Sequence, residues 1–299
     1  MRIGIDLGGT KIEGIVIDDQ GIERHRLRVP TPRGEYLPIL KAIAGLVGNL
    51  EAAQGQTGTL GIGIPGAISP ATGLVKNANS VELIGHPLDR DLTELLGREV
   101  RVANDANCFA LSEASDGAAA GASIVFGVIV GTGVGGGIVV DGHVLTGAHA
   151  IAGEWGHNPL PWPRDDERPG QACYCGRSGC NETFLSGPSL SRDHRQHTGQ
   201  DLAASGIATD ADAGAPQALA TMARYEDRLA RALAVVVNLL DPDVIVLGGG
   251  VSNIQRLYRE VPLLLPKYVF SDKITTPIVK AKYGDSSGVR GAAWLWPPA

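Results

Sequence analysis

Residues 2–18 read RIGIDLGGTKIEGIVID. Two runs rich in Ile flank GGTK, so the stretch predicts a buried strand, a Gly-rich turn and a second strand paired as a hairpin. The pattern restarts in SIVFGVIVGTGVGGGIVVDG, residues 123–142. Two such hairpins predict a duplicated α/β unit with a cleft between the copies. Each hairpin heads a similar run. After the first come a helix over 37–54, strand and turn in TLGIGIPGAI (59–68), a helix in RDLTELLG ended by Gly97, and a strand in REVRVAND that stops at Asn104 and Asp105. Residues 106–120 predict a helix. After the second hairpin come a helix over 216–240, the strand VIVL (244–247), then GGG, the helix SNIQRLYREV (252–261) and a last helix in DSSGVRGAAWLW (285–296). The Asp/Ala/Gly stretch 201–215 predicts an exposed linker.

At 299 residues the chain suffices for one large domain or two of medium size. Aromatics make up 5%, so the core must rest on Ile, Val, Leu and Ala. A net charge of -6 argues against a nucleic-acid partner, which selects a basic face. No run is apolar enough for a membrane span, and no secretory leader is expected. Four cysteines, three of them clustered, do not form a disulfide framework, which places the protein in the cytoplasm.

Five clusters carry chemistry. Asp6, Gly8, Gly9, Thr10 and Lys11 suit a phosphate, since Gly lets backbone N–H groups approach closely; a plain hairpin turn explains the glycines equally well. Gly131, Thr132, Gly133, Val134, Gly135 and Gly136 match G-x-G-x-x-G, but a strand follows where a dinucleotide fold needs a helix, so that reading is rejected. Gly248, Gly249 and Gly250 suit either a nucleoside face or a strand–helix junction. Asp105 is either the N-cap of the next helix or a general base at a cleft edge, with Asn104 orienting a hydroxyl. His157, Cys173, Cys175 and Cys180 make a Cys₃His set of the kind that binds structural zinc; the alternative is three reduced thiols in a loop. Cys108, in an apolar helix, reads as a buried thiol.

In order, DLGGTK, IPG, NDAN, GTGVGGG, GEWGH and CYCGRSGCNET resemble the ROK family of sugar kinases along the whole chain. KNANS, GEWGHNPLPW, LDPDVIVLGGG and GDSSGVRGAAWLWP are similar to its bacterial manno(fructo)kinase branch. Gly136 departs from the family's pattern, which has an apolar residue there.

The resemblance implies an actin-like, ribonuclease-H-like α/β fold, with two lobes around an ATP and sugar cleft. Residues 1–118 form one lobe, joined by a C-terminal helix over 288–299; residues 119–287 form the other and carry the zinc knuckle. It implies ATP contacts from Gly4, Ile5, Asp6, Leu7, Gly8, Gly9, Thr10 and Lys11, from Thr132 to Gly136, and from Gly248 to Gly250, with Asp6 orienting Mg²⁺ through water. It places Gly66, Asn79, Asn104, Asp105, Glu154, His157 and Glu182 on the sugar, with Asp105 as the catalytic base. The knuckle becomes a brace for His157 and the flanking carboxylates. The implied activity is hexose phosphorylation on the 6-hydroxyl of D-fructose, extending to mannose or glucose, in a homodimer. N-acetylglucosamine or N-acetylmannosamine is the alternative acceptor. Sugar-responsive repressors of the family carry a DNA-binding helix-turn-helix before this part; here the chain starts at the first strand, so that reading is disfavoured.

Overall fold

The computed structural model describes residues 1–297; residues 298 and 299 of the expected last helix lie outside the described residues. The chain runs through β1 (Arg2–Leu7), β2 (Lys11–Ile17), β3 (Glu23–Pro30), α1 (Tyr36–Gln54), β4 (Thr59–Ile64), the small ribbon β5 (Ala67–Ile68) and β6 (Val75–Lys76), α2 (Leu88–Leu96), β7 (Val100–Asn104) and α3 (Asp105–Ser115). It continues through β8 (Ile124–Val130), β9 (Val134–Val140), β10 (His143–Val144), α4 (Glu182–Leu185), α5 (Gly187–Thr198), α6 (Ala204–Asp212), α7 (Pro216–Leu240), β11 (Val244–Gly248), α8 (Leu257–Leu264), β12 (Ile278–Lys280) and α9 (Ser287–Trp294).

Two five-stranded sheets carry the same design. The first has the order β3-β2-β1-β4-β7 and the second β10-β9-β8-β11-β12. In the first, β1–β2 and β2–β3 are antiparallel, whereas β1–β4 and β4–β7 are parallel. In the second, β9–β10 are antiparallel, and β8–β11 and β11–β12 parallel. Both expected hairpins are present at the start of each pattern. This is the duplicated α/β, actin-like class.

The chain divides into two compact units. One comprises Met1–Gly121, Gly137–Ala152 and the described residues from Lys282 onward; the other comprises Ala122–Gly136 and Gly153–Ala281. The junction at Gly121/Ala122 lies close to the expected boundary after residue 118, while residues 137–152 sort with the first unit.

In the first unit the strand period of two sends Ile3, Ile5 and Leu7 to one face, where they join Ile39, Ile43, Leu46 and Leu50 of α1. Burying each such side chain contributes roughly 1.5–3 kcal/mol. The other face receives α9: Ile15 and Ile17 pack with Val289 and Ala293. The approach is close enough to need glycine, since a Cβ at Gly61 would fall 1.8 Å from the Ala292 carbonyl oxygen. In the second unit Val125, Phe126, Val128, Ile245, Val246 and Leu247 are buried strand residues, and α7 buries Tyr225, Leu229 and Leu233.

Three local expectations are corrected. The helix expected over 106–120 stops at Ser115, because the Glu113 carbonyl and carboxylate take the N–H groups of Ala119 and Ala118 and turn the chain. The linker expected over 201–215 contains α6, whose Ile207, Ala208 and Ala211 are buried. The helix expected over 252–261 begins at Leu257, after a 3₁₀ turn over Gly250–Asn253. Among the described residues no helix is long and apolar enough to cross a membrane.

Candidate functional site

In the first unit, β1 and β2 present the turn Gly8–Lys11 at one end. The Gly8 N–H donates to the Lys11 carbonyl at 3.0 Å, and Thr31 Oγ1 donates to the Gly8 carbonyl at 2.6 Å. Gly9, Thr10 and Lys11 are exposed. Lys11 Nζ rests 3.3 Å from Glu13, a buried carboxylate that also holds Arg26 and Arg28. Gly4, Ile5 and Leu7, expected among the ATP contacts, are buried inside β1. Asp6 pairs across from Glu13. Its carboxyl is raised from the ordinary value by burial and by Glu13, against an opposing pull from Lys11.

Asn104 ends β7 and caps α3. Its side-chain oxygen accepts the Ala106 and Asn107 N–H groups at 2.9 and 3.4 Å, and its amide donates to the Gly66 carbonyl at 3.2 Å. The cap is therefore Asn104, and the reading of Asp105 as the cap is corrected. Asp105 opens the helix, its Oδ1 accepting the Ala106 N–H at 2.8 Å. Asn79 donates its backbone N–H to Pro65 at 3.2 Å, which joins Asn79, Gly66, Asn104 and Asp105 in one neighbourhood. Cys108 is fully buried; burial, with Asp6 and Asp105 nearby, pushes its thiol well above the ordinary value.

In the second unit three glycine-bearing segments converge. Gly131 opens the β8–β9 turn, and the Gly187 N–H, at the start of α5, donates to its carbonyl at 2.8 Å. A Cβ at Gly131 would stand 4.0 Å from the Gly250 nitrogen, and one at Gly249 would strike the Val130 carbonyl oxygen at 2.5 Å. Gly187 leaves little mark in the sequence; its signal is the Ser-Gly-Pro start of a helix, with Ser186 as cap. Glu182, expected on the sugar, accepts the Val134 N–H at 2.9 Å. Trp155 Nε1 donates to the Gly135 carbonyl at 2.9 Å.

The metal set assembles beside these residues. One ligand atom each from His157, Cys173, Cys175 and Cys180 lies within 4.8 Å of all the others. Cys173 Sγ is 3.6 Å from His157 Nδ1, and Cys175 Sγ is 3.6 Å from Cys180 Sγ. Tetrahedral Zn²⁺ with ordinary bond lengths sets its ligand atoms about 3.6–3.8 Å apart, so the donors fit in chemistry and these two pairs fit in spacing. The other ring nitrogen of His157, Nε2, meets the Tyr174 hydroxyl at 2.9 Å. Burial, then Glu182 and Glu154, push the Tyr174 phenol up to about 12. The exposed Glu154 lies three residues before His157.

A model described as the ROK family matches residues 2–299. The chain belongs to the ROK family. It is 42% identical to the N-acetyl-D-glucosamine kinase of Yersinia pseudotuberculosis over 299 residues, covering 99% of this chain and 98% of that protein. Among solved structures it is similar to the ROK hexokinase from Thermus thermophilus, with TM-score 0.86 and 33% identity over 98% of this chain and 96% of that one. It is also similar to a ROK glucokinase from Streptomyces griseus in complex with glucose and AMPPNP, with TM-score 0.79 and 27% identity over 100% and 99% of the two chains. This ROK chain is an ATP-dependent sugar kinase. The Yersinia relative favours the acetamido-sugar alternative over the fructose acceptor that the sequence resemblance implied.

Proposed function

We propose that the chain transfers the γ-phosphoryl group of ATP to a hydroxyl of N-acetyl-D-glucosamine. The observation that carries this acceptor is the 42% identity, end to end, to the Yersinia N-acetyl-D-glucosamine kinase. Asp105, at the first position of α3, accepts the proton of the attacking hydroxyl. The sugar oxygen bonds to the γ-phosphorus as the bond to the β–γ bridging oxygen breaks, and ADP leaves. Phosphoryl transfer asks the protein mainly for positioning and charge neutralisation. The turns Gly8–Lys11 and Thr132–Gly136 hold the phosphates through backbone N–H groups, and Gly248–Gly250 face the nucleoside. Asn104, Asp105, Glu154, His157 and Glu182 bind sugar hydroxyls, with Gly66 and Asn79 beside Asn104.

Mg²⁺ bound with ATP would supply neutralisation of phosphate charge, and Asp6 would hold it through water. Zn²⁺ in the Cys₃His set would be structural, since four protein ligands leave no open position for water. Its contribution is rigidity for His157 and for the chain between Glu154 and Glu182.

The test is product identification. Protein incubated with Mg·ATP and N-acetyl-D-glucosamine should yield ADP and a sugar phosphate in equal amounts, the second identified by ³¹P NMR. ADP without a sugar phosphate would mean hydrolysis and would sink the proposal.

A further inference from the structure

The second phosphate turn, residues 131–135, is held by the same segments that carry the sugar residues and the metal ligands. Glu182 Oε2 accepts the Val134 N–H at 2.9 Å, two residues beyond the ligand Cys180. A Cβ at Gly133 would lie 2.7 Å from that same oxygen, so the carboxylate sits directly against the turn. From the other side, Trp155 donates its Nε1–H to the Gly135 carbonyl at 2.9 Å. Trp155 stands between Glu154 and His157 and is 4% exposed. It is pinned in turn, edge-on against Phe126 at 5.6 Å, with its carbonyl accepting from the buried Asn181 amide at 2.9 Å. Asn181 lies between Cys180 and Glu182. Gly156 passes so close that a Cβ there would meet the Val134 carbonyl oxygen at 2.0 Å.

From this we infer that Trp155 and Glu182 couple the sugar-binding residues to the nucleotide turn, so that the acceptor sugar and ATP strengthen each other's binding. The inference rests on the proposed sugar role of Glu182. One carboxylate then serves two partners. With Oε2 on the Val134 N–H, its other oxygen is available to a sugar hydroxyl. A sugar that fixes Glu182 also fixes the turn. A turn fixed by ATP holds Glu182 ready for sugar, because coupling between two sites is reciprocal. Trp155 is a positioning residue: it holds the carbonyl side of the turn while Glu182 holds the N–H side. A single such hydrogen bond is worth about 0.5–1.5 kcal/mol net, or roughly 2- to 13-fold in affinity.

Trp155→Phe keeps a ring against Phe126 and removes only the Nε1–H donor. In the metal-loaded variant, amides of residues 131–136 should exchange hydrogen faster than in the parent, and KM for Mg·ATP should rise about 3- to 10-fold, with sugar affinity in the absence of nucleotide within about 2-fold by calorimetry. Zinc content should be unchanged. Unchanged exchange at 131–136, or loss of the nucleotide-free sugar affinity together with lost stability, would overturn the brace. In the parent protein N-acetyl-D-glucosamine alone, without nucleotide, should slow exchange at the Val134 amide. Sugar that binds by calorimetry yet leaves that amide untouched would overturn the coupling. Failure of the sugar to bind at all would count against the acceptor, and the exchange comparison of Trp155→Phe with the parent would still decide the brace.

Discussion

The two glycine-rich turns occupy the same place in the same strand pattern, yet they are restrained differently. Gly8–Lys11 is tied to its own neighbourhood: Thr31, just past β3, bonds Gly8 through its hydroxyl and Thr10 through its backbone. Gly131–Gly135 is tied to distant chain, through Trp155, Glu182 and Gly187. A turn held by its own sheet edge keeps its shape whatever happens elsewhere. A turn held by the loop that carries the candidate metal ligands inherits that loop's state. Duplication thus fixed the topology, and the restraint diverged between the copies. Both units also bury a carboxylate in ion pairs: Glu13 with Arg26 and Arg28 in the first, and Glu167 with Arg228 and Arg231, at 2.7 Å each, in the second.

The largest expected effect belongs to the first unit and should leave both turns alone. Asp105→Asn should lower kcat about 10²- to 10⁴-fold in steady-state ADP release, with nucleotide affinity and melting temperature preserved. Near-normal turnover would remove Asp105 from the role of base.

Next comes the ion network around Glu167 in the second unit. Burial pushes the Glu167 carboxyl up, but hydrogen bonds from Arg231, Arg228 and the Arg164 backbone outweigh it and hold the group at about 2. A depressed carboxyl contributes stability above its unfolded pKa near 4.5 and loses it as pH falls towards 2. Hydrogen exchange across that window should show protection falling around Glu167, Arg228 and Arg231. Glu167→Gln removes one of the two carboxylate partners of Arg228 and of Arg231, which keep Asp193 and Asp227, and should cost about 1.5–3 kcal/mol in denaturant unfolding at pH 7. Protection there unchanged down to pH 2 would contradict this.

A smaller effect should follow from Cys175→Ser. Metal analysis should fall from about one zinc per chain to none. Activity should drop about 10- to 100-fold, and exchange should rise at 131–136 but not at 8–11. Equal loosening of both turns would erase the distinction between them. The smallest effect is local. Thr31→Val removes one hydroxyl donor from the first turn and should cost about 1 kcal/mol by denaturant unfolding, without touching residues 131–136.

Much of the fold could be read from residue patterns because those patterns are local. The hairpin strands alternate or run apolar, Gly97 closes α2 in the left-handed conformation at φ 66°, and α7 spans Pro216–Leu240 as its period predicts. The errors share a cause: tertiary bonds overrode composition. Residues 201–215 look like a linker because Asp, Ala and Gly crowd them, yet Ile207, Ala208 and Ala211 give α6 a buried stripe. Asp105 looked like the cap because Asp caps so often, but Asn104 also reaches Gly66 and so fits the position better. The metal ligands were visible as a spacing. Trp155, Tyr174 and Gly187 were not, because their roles are long-range hydrogen bonds that leave no periodic mark. The sequence resemblance points to fructose whereas the Yersinia relative favours an acetamido sugar, since motifs shared by the whole family fix the chemistry and leave the pocket open.

The measurement that bears most directly on the central claim is kcat/KM for N-acetyl-D-glucosamine, N-acetyl-D-mannosamine, glucose, mannose and fructose, each with Mg·ATP and zinc-loaded protein. The account predicts the highest value for N-acetyl-D-glucosamine, by at least about 10-fold, which corresponds to roughly 1.4 kcal/mol of preferential transition-state binding. A higher value for fructose, or for any hexose lacking the acetamido group, would contradict it.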